Sequence, residues 1–239
     1  MRHLTFALLT IAGVTCVANG SPYMVSWSAA DGLLPENSDP AWERVWGDWD
    51  GPYHGTGAER TFHDGVLTYD SLNDRGVVDF NQMYRPGQLD PGPNEWFTLE
   101  FGLRVLEVDG TYDHGAGFES DDAWSVSLAF GQDRLYSLGE GYLQIPFTAG
   151  VFHAYRIVSS SMRTYDLYID DVLRHRGVLD QIFFHSRVSW GDGVQGGASR
   201  ADWSYVRFGV VPEPASLSCL AIALACCVGR RAFPLPEEG

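Results

Sequence analysis

Hydrophobic and polar residues alternate in short runs along the middle of the chain. In the clearest run, apolar side chains occupy every second position, at Phe97, Leu99, Phe101, Leu103 and Val105. Residues 124–130 repeat the pattern. Because successive side chains of a strand point to opposite faces, each run predicts a strand with one buried face. Glycine, aspartate and asparagine separate the runs, and helix signals are scarce. The pattern predicts an all-β fold, an antiparallel β-sandwich.

Shorter apolar runs beside turn residues predict the remaining strands. These runs are residues 66–69, 135–138, 142–145, 152–158, 165–169, 172–179 and 205–210. Asp64-Gly65 precedes the first of them, and Asp170-Asp171 makes a tight turn in a meander of residues 152–179. No internal repeat and no second domain is visible. We therefore expect one domain over residues 21–209, long enough to bury a sizeable core.

The first twenty residues predict a secretory signal peptide. Met1-Arg2-His3 is a short basic start, residues 4–17 are apolar, and Ala18 and Gly20 offer small residues for cleavage. This segment predicts an N-terminal signal helix and export by the Sec machinery. Cys16 suits a lipoprotein, but Gly13-Val14-Thr15 ahead of it is a poor match to a lipid-attachment signal.

The last thirty residues, 210–239, have the features of a second targeting signal. Pro212-Glu213-Pro214 is followed by an uncharged stretch over residues 215–229 and then by Arg230 and Arg231. At about 1.5 Å per residue the stretch reaches roughly 22 Å as a helix, short of a ~30 Å bilayer core. It predicts a marginal transmembrane helix with the arginines in the cytoplasm. A buried core helix is disfavoured by the prolines before it and the arginines after it.

This arrangement resembles the PEP-CTERM sorting signal of Gram-negative bacteria. The resemblance rests on Pro212, Glu213 and Pro214, on the apolar span and on Arg230 and Arg231. It implies processing by an exosortase, a membrane-embedded cysteine protease, after transient tethering in the inner membrane. The expected destination is the cell surface or the extracellular matrix. The acidic tail at residues 232–239 departs from the short basic tail usual in that family.

Composition narrows the partners of the central domain. All four cysteines, Cys16, Cys219, Cys226 and Cys227, lie outside residues 21–209, so the domain has neither a disulfide nor thiol chemistry. All 16 basic residues are arginine, and the formal net charge of the chain is −15. An acidic surface argues against nucleic acid and anionic lipid as partners. It is compatible with neutral sugars and with cations.

Several segments resemble laminin-G-like and concanavalin-A-like jelly rolls. Phe152-His153-Ala154-Tyr155-Arg156-Ile157 followed by Leu167-Tyr168-Ile169-Asp170-Asp171 is similar to a strand pair of that family. Residues 190–193, 202–208 and 95–105 are similar to other strands of it. Two positions depart from the family, because Asp171 replaces a turn glycine and Ser204 replaces an acid. The resemblance implies a jelly roll and a carbohydrate-related role.

Glycoside hydrolysis is the main enzymatic alternative. Some concanavalin-A-like enzymes carry a Glu-x-Asp-x-x-Glu strand, and Glu107-Val108-Asp109 begins such a motif. Tyr112 stands where the second glutamate is needed, so the two-carboxylate mechanism lacks a partner. The sequence shows neither a Gly-x-Ser-x-Gly nucleophile nor histidines at zinc-ligand spacing. We therefore expect no catalytic residues.

A structural calcium ion is the one cofactor that the sequence suggests. Jelly rolls of this type often hold calcium at a sheet rim, with carboxylates and carbonyl groups as ligands. By this resemblance Asp202 is the best single candidate ligand. Asp48 and Asp50 lie in a glycine-rich segment and form a second candidate pair.

Aromatic residues cluster between residues 42 and 53. The cluster consists of Trp42, Trp46, Trp49 and Tyr53, on a segment whose Gly, Asp and Pro residues forbid a stable helix. Such rings can form a platform for sugar rings on a loop, or fold back onto the core. The sequence leaves three functions open: a module that binds extracellular polysaccharide, a glycan-active hydrolase or lyase, and a structural matrix component without a ligand.

Overall fold

The computed structural model describes residues 23–48, 57–73, 77–139, 143–181, 186–193 and 197–212. The predicted signal helix and membrane helix lie outside these ranges, as do Glu213, Pro214, Arg230 and Arg231. Within the described ranges no helix has the length and apolar character needed to cross a membrane. Most of the described residues are in strands, and the only helices among them are two short 3₁₀ helices at Ala29–Asp31 and Pro35–Asn37.

The strands form two antiparallel sheets packed face to face. Their bounds are β1 Val25–Ser28, β2 Glu43–Asp48, β3 Glu59–His63, β4 Val66–Asp70, β5 Val77–Tyr84, β6 Glu95–Asp109, β7 His114–Glu119, β8 Trp124–Phe130, β9 Arg134–Ser137, β10 Leu143–Pro146, β11 His153–Ser159, β12 Thr164–Ile169, β13 Val172–Val178, β14 Asp180–Gln181, β15 Arg187–Asp192 and β16 Ala198–Pro212. The first sheet has the order β13-β12-β11-β6-β16-β4-β3, and β1 pairs with β16. The second sheet has the order β10-β9-β8-β7-β15-β5-β2, and β14 pairs with β8. The antiparallel sandwich predicted from the alternation is confirmed.

Aromatic side chains fill the space between the sheets. Phe101 of β6 lies 5.6 Å from Trp203 of β16 between ring centroids, and Trp203 lies 4.9 Å from Trp190 of β15. These rings come from both sheets, so they join the two layers directly. The alternating apolar residues of β6, from Phe97 to Val105, are all buried, which confirms the burial pattern predicted for this strand.

The meander predicted at residues 152–179 is also present, as β11, β12 and β13. Asp170 and Asp171 form its second turn with φ angles of 51° and 60°. Positive φ at both central residues is the geometry of a two-residue hairpin turn, which normally favours Asn and Gly. Asp171 thus occupies a position where glycine would be free of strain.

Strand β16 contains an irregularity that the sequence pattern did not reveal. Its register with β6 shifts between Trp203 and Tyr205, so Ser204 is an additional residue, as in a β-bulge. Because of the extra residue, Trp203 and Val206 both point into the core although they are three positions apart. The strand also continues to Pro212, three residues beyond the expected end of the domain.

Candidate functional site

A groove runs across the outward face of the second sheet. It consists of two adjoining depressions, of about 330 and 410 Å³, that share Phe80 and Arg187. Phe80 lies on β5, where Asn81 and Met83 point inward, and Arg187 lies on β15 beside the inward Val188. The strict alternation along these two strands therefore places Phe80 and Arg187 on the face away from the core.

A row of hydrogen-bonded polar side chains crosses four strands along this groove. Arg187 donates from Nε and Nη2 to Oε1 of Glu119 on β7, at 2.8 and 2.6 Å. Its Nη1 donates to Oε1 of Gln82 on β5 at 2.9 Å. Gln82 in turn donates from Nε2 to Oε2 of Glu43 on β2 at 3.0 Å. Because each member is held by its neighbour, the row is fixed before any ligand arrives.

Small residues make the floor of the groove low. The first depression is lined by Gly115, Gly191 and Gly193 together with Ser127 and Ser189. A Cβ atom on Gly193 would lie 3.3 Å from a ring carbon of Phe80, so a larger residue at this position would crowd the ring. Because the positions next to Phe80 in the first depression are glycines, its ring stands above the floor of the depression.

The chemistry of the groove suits a ligand that is apolar on one face and hydroxylated at its edges. Phe80 is partly exposed, and Trp46 at the edge of the second depression is 44% exposed. The second oxygen of Glu119, Oε2, is buried and has no hydrogen-bond partner among the described residues. Because solvent does not reach this oxygen, a donor on a ligand bonds it only after a neighbouring side chain moves. Ser127 and Ser189 supply hydroxyl groups nearby.

The carboxylates of the groove are too far apart for glycosidase chemistry. Glu119 on β7 and Glu43 on β2 are separated by β15 and β5. Three strand spacings correspond to about 14 Å. Retaining enzymes need about 5–5.5 Å between their two carboxyl groups, and inverting enzymes need about 6.5–9.5 Å. The described part of the groove therefore provides neither arrangement.

The structure separates the aromatic cluster predicted as a sugar platform. Trp42 is only 2% exposed and packs edge-on against Trp190 and Phe208, with centroids 5.7 Å apart in each case, so its assignment to a surface platform is corrected. The segment Glu43–Asp48 is a strand rather than the predicted loop, and the strand carries Trp42 toward the core. Trp46 borders the second depression, but its register partner Asp79 faces the interior, so its 44%-exposed side chain lies on the inward side of the edge strand β2. Trp49 and Tyr53 lie outside the described residues.

Asp202, the leading calcium candidate, is already bonded to neighbouring side chains. Its Oδ1 accepts from Thr68 Oγ1 at 2.6 Å, and its Oδ2 accepts from Arg104 Nε at 2.9 Å and from Arg104 Nη2. Among the described residues no three acidic, histidine or cysteine side chains converge as metal ligands would. A calcium ion at Asp202 stays a prediction, and it would require Arg104 to move away. The side chain of Asp48 and all of Asp50 lie outside the described residues.

Glu107, the residue considered for catalysis, lies away from the groove. It is near the end of β6 in the first sheet, where its exposed side chain lies 3.6 Å from Arg200.

The residues that do form the groove, Phe80, Glu119 and Arg187, were not singled out from the sequence. Their only signal in the sequence was the pair of glycine-containing segments 115–117 and 191–193, which gained meaning once β7 and β15 proved to be neighbours.

No family model and no curated protein sequence matches this chain. Among solved structures, a carbohydrate esterase from Shiga toxin-encoding bacteriophage phi24B is similar with a TM-score of 0.57 and 10% identity, covering 80% of this chain and 98% of that one. An endo-β-galactosidase from Clostridium perfringens that releases GlcNAcα1-4Gal has a TM-score of 0.52 and 10% identity, over 78% of this chain and 62% of that one. Botulinum neurotoxin type C, whose cell entry depends on two ganglioside molecules, has a TM-score of 0.51 and 9% identity, over 78% of this chain and 47% of that one.

These likenesses show the fold, an antiparallel two-sheet sandwich of the jelly-roll type. This chain spans less than two thirds of the galactosidase and of the neurotoxin. At such low identity the shared fold assigns no activity, since one fold carries many functions.

Proposed function

We propose that this protein is a cell-surface or extracellular-matrix component whose sandwich domain binds neutral carbohydrate in the groove of the second sheet, without cleaving it. The observation that carries the proposal is the groove itself. Phe80, which is partly exposed, lies at one end of the first depression, and the pre-formed polar row of Glu119, Arg187 and Gln82 lies two to four residues farther along the strands. A sugar presents an apolar face that stacks on aromatic rings and hydroxyl groups that donate to such acceptors.

The charges of the groove and of the whole chain favour a neutral ligand over an anionic one. The outward face of the groove carries two acids, Glu43 and Glu119, and one arginine, Arg187, because Arg44 points inward to Asp79, so the formal charge of this face is weakly negative. Each arginine is bonded to an acid, because Arg44 donates to Asp79 and Arg187 donates to Glu119. The net charge of −15 opposes the approach of a polyanion such as a uronic-acid polysaccharide. The fold shared with a carbohydrate esterase and an endo-β-galactosidase is in keeping with a sugar ligand.

Binding without hydrolysis follows from the separation of the groove carboxylates. Glu119 acts in this proposal as a hydrogen-bond acceptor held in place by Arg187, and Glu43, the other acid that lines the described groove, lies three strands away from it. Release of reducing sugar from a neutral polysaccharide, abolished by Glu119→Gln, would favour the hydrolase instead.

The binding proposal is tested by titrating the chain with a panel of neutral and acidic oligosaccharides in a calorimeter. We expect binding to a neutral member, weakened at least about tenfold by Phe80→Ala, equivalent to about 1.4 kcal/mol of lost stacking. Phe62→Ala is the matched control, because Phe62 is 38% exposed but lies on β3, at an edge of the other sheet. Equal losses in the two variants, or no binding by the unaltered chain, would contradict the proposal.

Export and processing form the second part of the proposal and rest on the two ends of the sequence. The expected partners are the Sec machinery and an exosortase, with a transient membrane tether at residues 215–229. The test is expression in a bacterium with and without an exosortase, followed by mass spectrometry of the released protein. We expect release that depends on the exosortase and is blocked by Glu213→Ala, whereas Glu237→Ala in the tail leaves it intact. Release that ignores Glu213 would refute sorting by this motif.

A further inference from the structure

Behind the groove, the second sheet turns a row of polar side chains toward the interior. The strand register places Asp192 of β15 directly beside Asp79 of β5 on one side and His114 of β7 on the other. Partners in an antiparallel ladder point to the same face. All three side chains are 0% exposed, so the row is fully shielded from solvent.

One acid in this row has no cationic partner. Asp79 accepts a hydrogen bond from Arg44 Nε at 2.9 Å. Asp192 lies instead beside Asp113, the residue before its register partner His114, and near the hydroxyl group of Ser71; both carboxyl oxygens of Asp192 are buried without a hydrogen-bond partner among the described residues. Asp113 is also 0% exposed, and its Oδ2 accepts from Ser71 Oγ at 3.3 Å. Two buried carboxyl groups thus meet without a charge partner in the described part of the chain.

Two ionised carboxylates in contact in a buried site would repel each other strongly. A proton held between them removes one charge and turns the contact into a hydrogen bond. Burial, followed by the charge of Asp113, raises the pKa of Asp192 well above its ordinary value. Burial also lowers the pKa of His114, so the imidazole is neutral and does not supply the missing positive charge.

The surrounding groups do not replace that proton. The other titratable or charged side chains around the pair are Asp79 with Arg44, Tyr69, Asp70, His114, and Asp202 with Arg104. Both arginines in this set are already bonded to acids of their own, Asp79 and Asp202. Asp70 likewise lies 4.0 Å from Arg200, so the set supplies no unpaired cation to compensate the pair, and its mutual repulsion favours uptake of a proton.

We propose that Asp113 and Asp192 form a buried proton-binding site, in which one carboxyl group keeps its proton and donates it to the other, and that ionisation of this site loosens the floor of the groove. Asp192 lies between Gly191 and Gly193, which both line the groove. Repulsion between two ionised carboxylates would push β15 at that point. The link to ligand affinity rests on the proposed carbohydrate function, whereas the proton site does not.

The sign of the pH effect follows from the raised pKa. The folded chain keeps a proton that the unfolded chain releases near the ordinary aspartate pKa of about 3.9. The stabilisation is complete below that pH and is lost as the pH rises through the raised pKa of the folded state. Within this window one linked proton changes the unfolding equilibrium constant about tenfold per pH unit.

The test is urea unfolding of the full chain between pH 4 and pH 9, unaltered and as Asp192→Asn. The asparagine amide donates to Asp113 without titrating, so we expect the variant to lose the decline, up to about tenfold per pH unit, that the unaltered chain shows. Asp79→Asn is the matched control, because it removes an equally buried acid that has an arginine partner. It is expected to destabilise the fold at every pH and to keep the decline.

Equal pH slopes for the unaltered chain and Asp192→Asn would overturn the proposal. So would one equivalent of tightly bound metal whose removal by a chelator unfolds the chain, since a cation would then replace the proton. If Asp192→Asn does not fold, infrared spectroscopy of the unaltered chain decides: a protonated-carboxyl band that persists above the pH range in which free aspartate ionises supports the site, and its absence there refutes it. Sugar affinity that falls over the same pH range supports the coupling to the groove, and unchanged affinity refutes that coupling. A chain that binds no sugar at any pH contradicts only the carbohydrate function.

Discussion

At Gly191 on β15, both the backbone conformation and a close backbone approach oppose an added methyl group. Its φ angle is 131°, a conformation that residues with a side chain rarely adopt. A Cβ atom there would lie 2.8 Å from the carbonyl oxygen of Asp79 and 2.9 Å from Cα of Phe80. Both atoms belong to the backbone of the neighbouring strand β5, so a side-chain rotation cannot relieve the clash.

The expected cost of Gly191→Ala is the sum of two effects. Backbone strain at such a φ angle costs about 1–3 kcal/mol, and forcing a methyl group into a packed contact costs a further ~1–3 kcal/mol. We therefore expect the free energy of unfolding to fall by about 3 kcal/mol. At a urea m-value of about 2 kcal/mol/M this moves the unfolding midpoint by about 1.5 M.

The assay is urea unfolding followed by tryptophan fluorescence, with Gly150→Ala as the control. Gly150 also has a positive φ, of 73°, but its added Cβ would meet no atom within 4 Å. That variant isolates the conformational strain, about 1–2 kcal/mol. If Gly191→Ala costs no more than Gly150→Ala, the close approach of β5 to β15, and with it the low floor of the groove, is wrong.

Three further outcomes are expected. Arg104→Met should lower the free energy of unfolding by about 3 kcal/mol in calorimetry, because it removes the arginine of the buried Asp202 and leaves it with Thr68 and with His63 at 3.6 Å; a near-neutral Arg104→Met would contradict the ion pair. EDTA added to the unaltered chain should lower its Tm only if calcium binds. Asp171→Gly should raise the free energy of unfolding by about 0.5–1 kcal/mol, since glycine adopts its φ of 60° without strain, and a lower Tm would count against this explanation. Burial raises the pKa of Glu100, but hydrogen bonds from tyrosine and arginine neighbours outweigh it and leave the pKa below its ordinary value. The stability that ionised Glu100 contributes above pH ~4.5 should therefore be lost as the pH falls and Glu100 is protonated. Glu100→Gln should show a shallower acid transition than the unaltered chain.

The parts of the fold with strict alternation could be predicted from the sequence. Strand β6 lies between β11 and β16 in the first sheet, and one of its two faces packs against the core. Every second residue from Phe97 to Val105 is on that face and is buried. Strand β16 could not be read in the same way. The extra residue Ser204 shifts the inward side chains from the odd position Trp203 to the even position Val206, which breaks the period of two.

The candidate site was largely hidden because it depends on which strands become neighbours. Phe80, Glu119 and Arg187 are far apart in sequence, and only the order β7-β15-β5 brings them together. Asp113 and Asp192 are hidden for the same reason. Trp42 and Trp46 are close in sequence, yet one is in the core and the other is at the sheet edge, since local clustering does not determine burial.

The most direct test of the central claim is to map the amide chemical shifts of the isotope-labelled chain as a neutral oligosaccharide is added. Binding in the groove predicts shifts confined to the outward face of β5, β7 and β15, around Phe80, Gly117 and Ser189, and their loss in Phe80→Ala. Shifts that instead cluster on the first sheet, or no shifts with any neutral or acidic sugar, would contradict a carbohydrate groove on the second sheet.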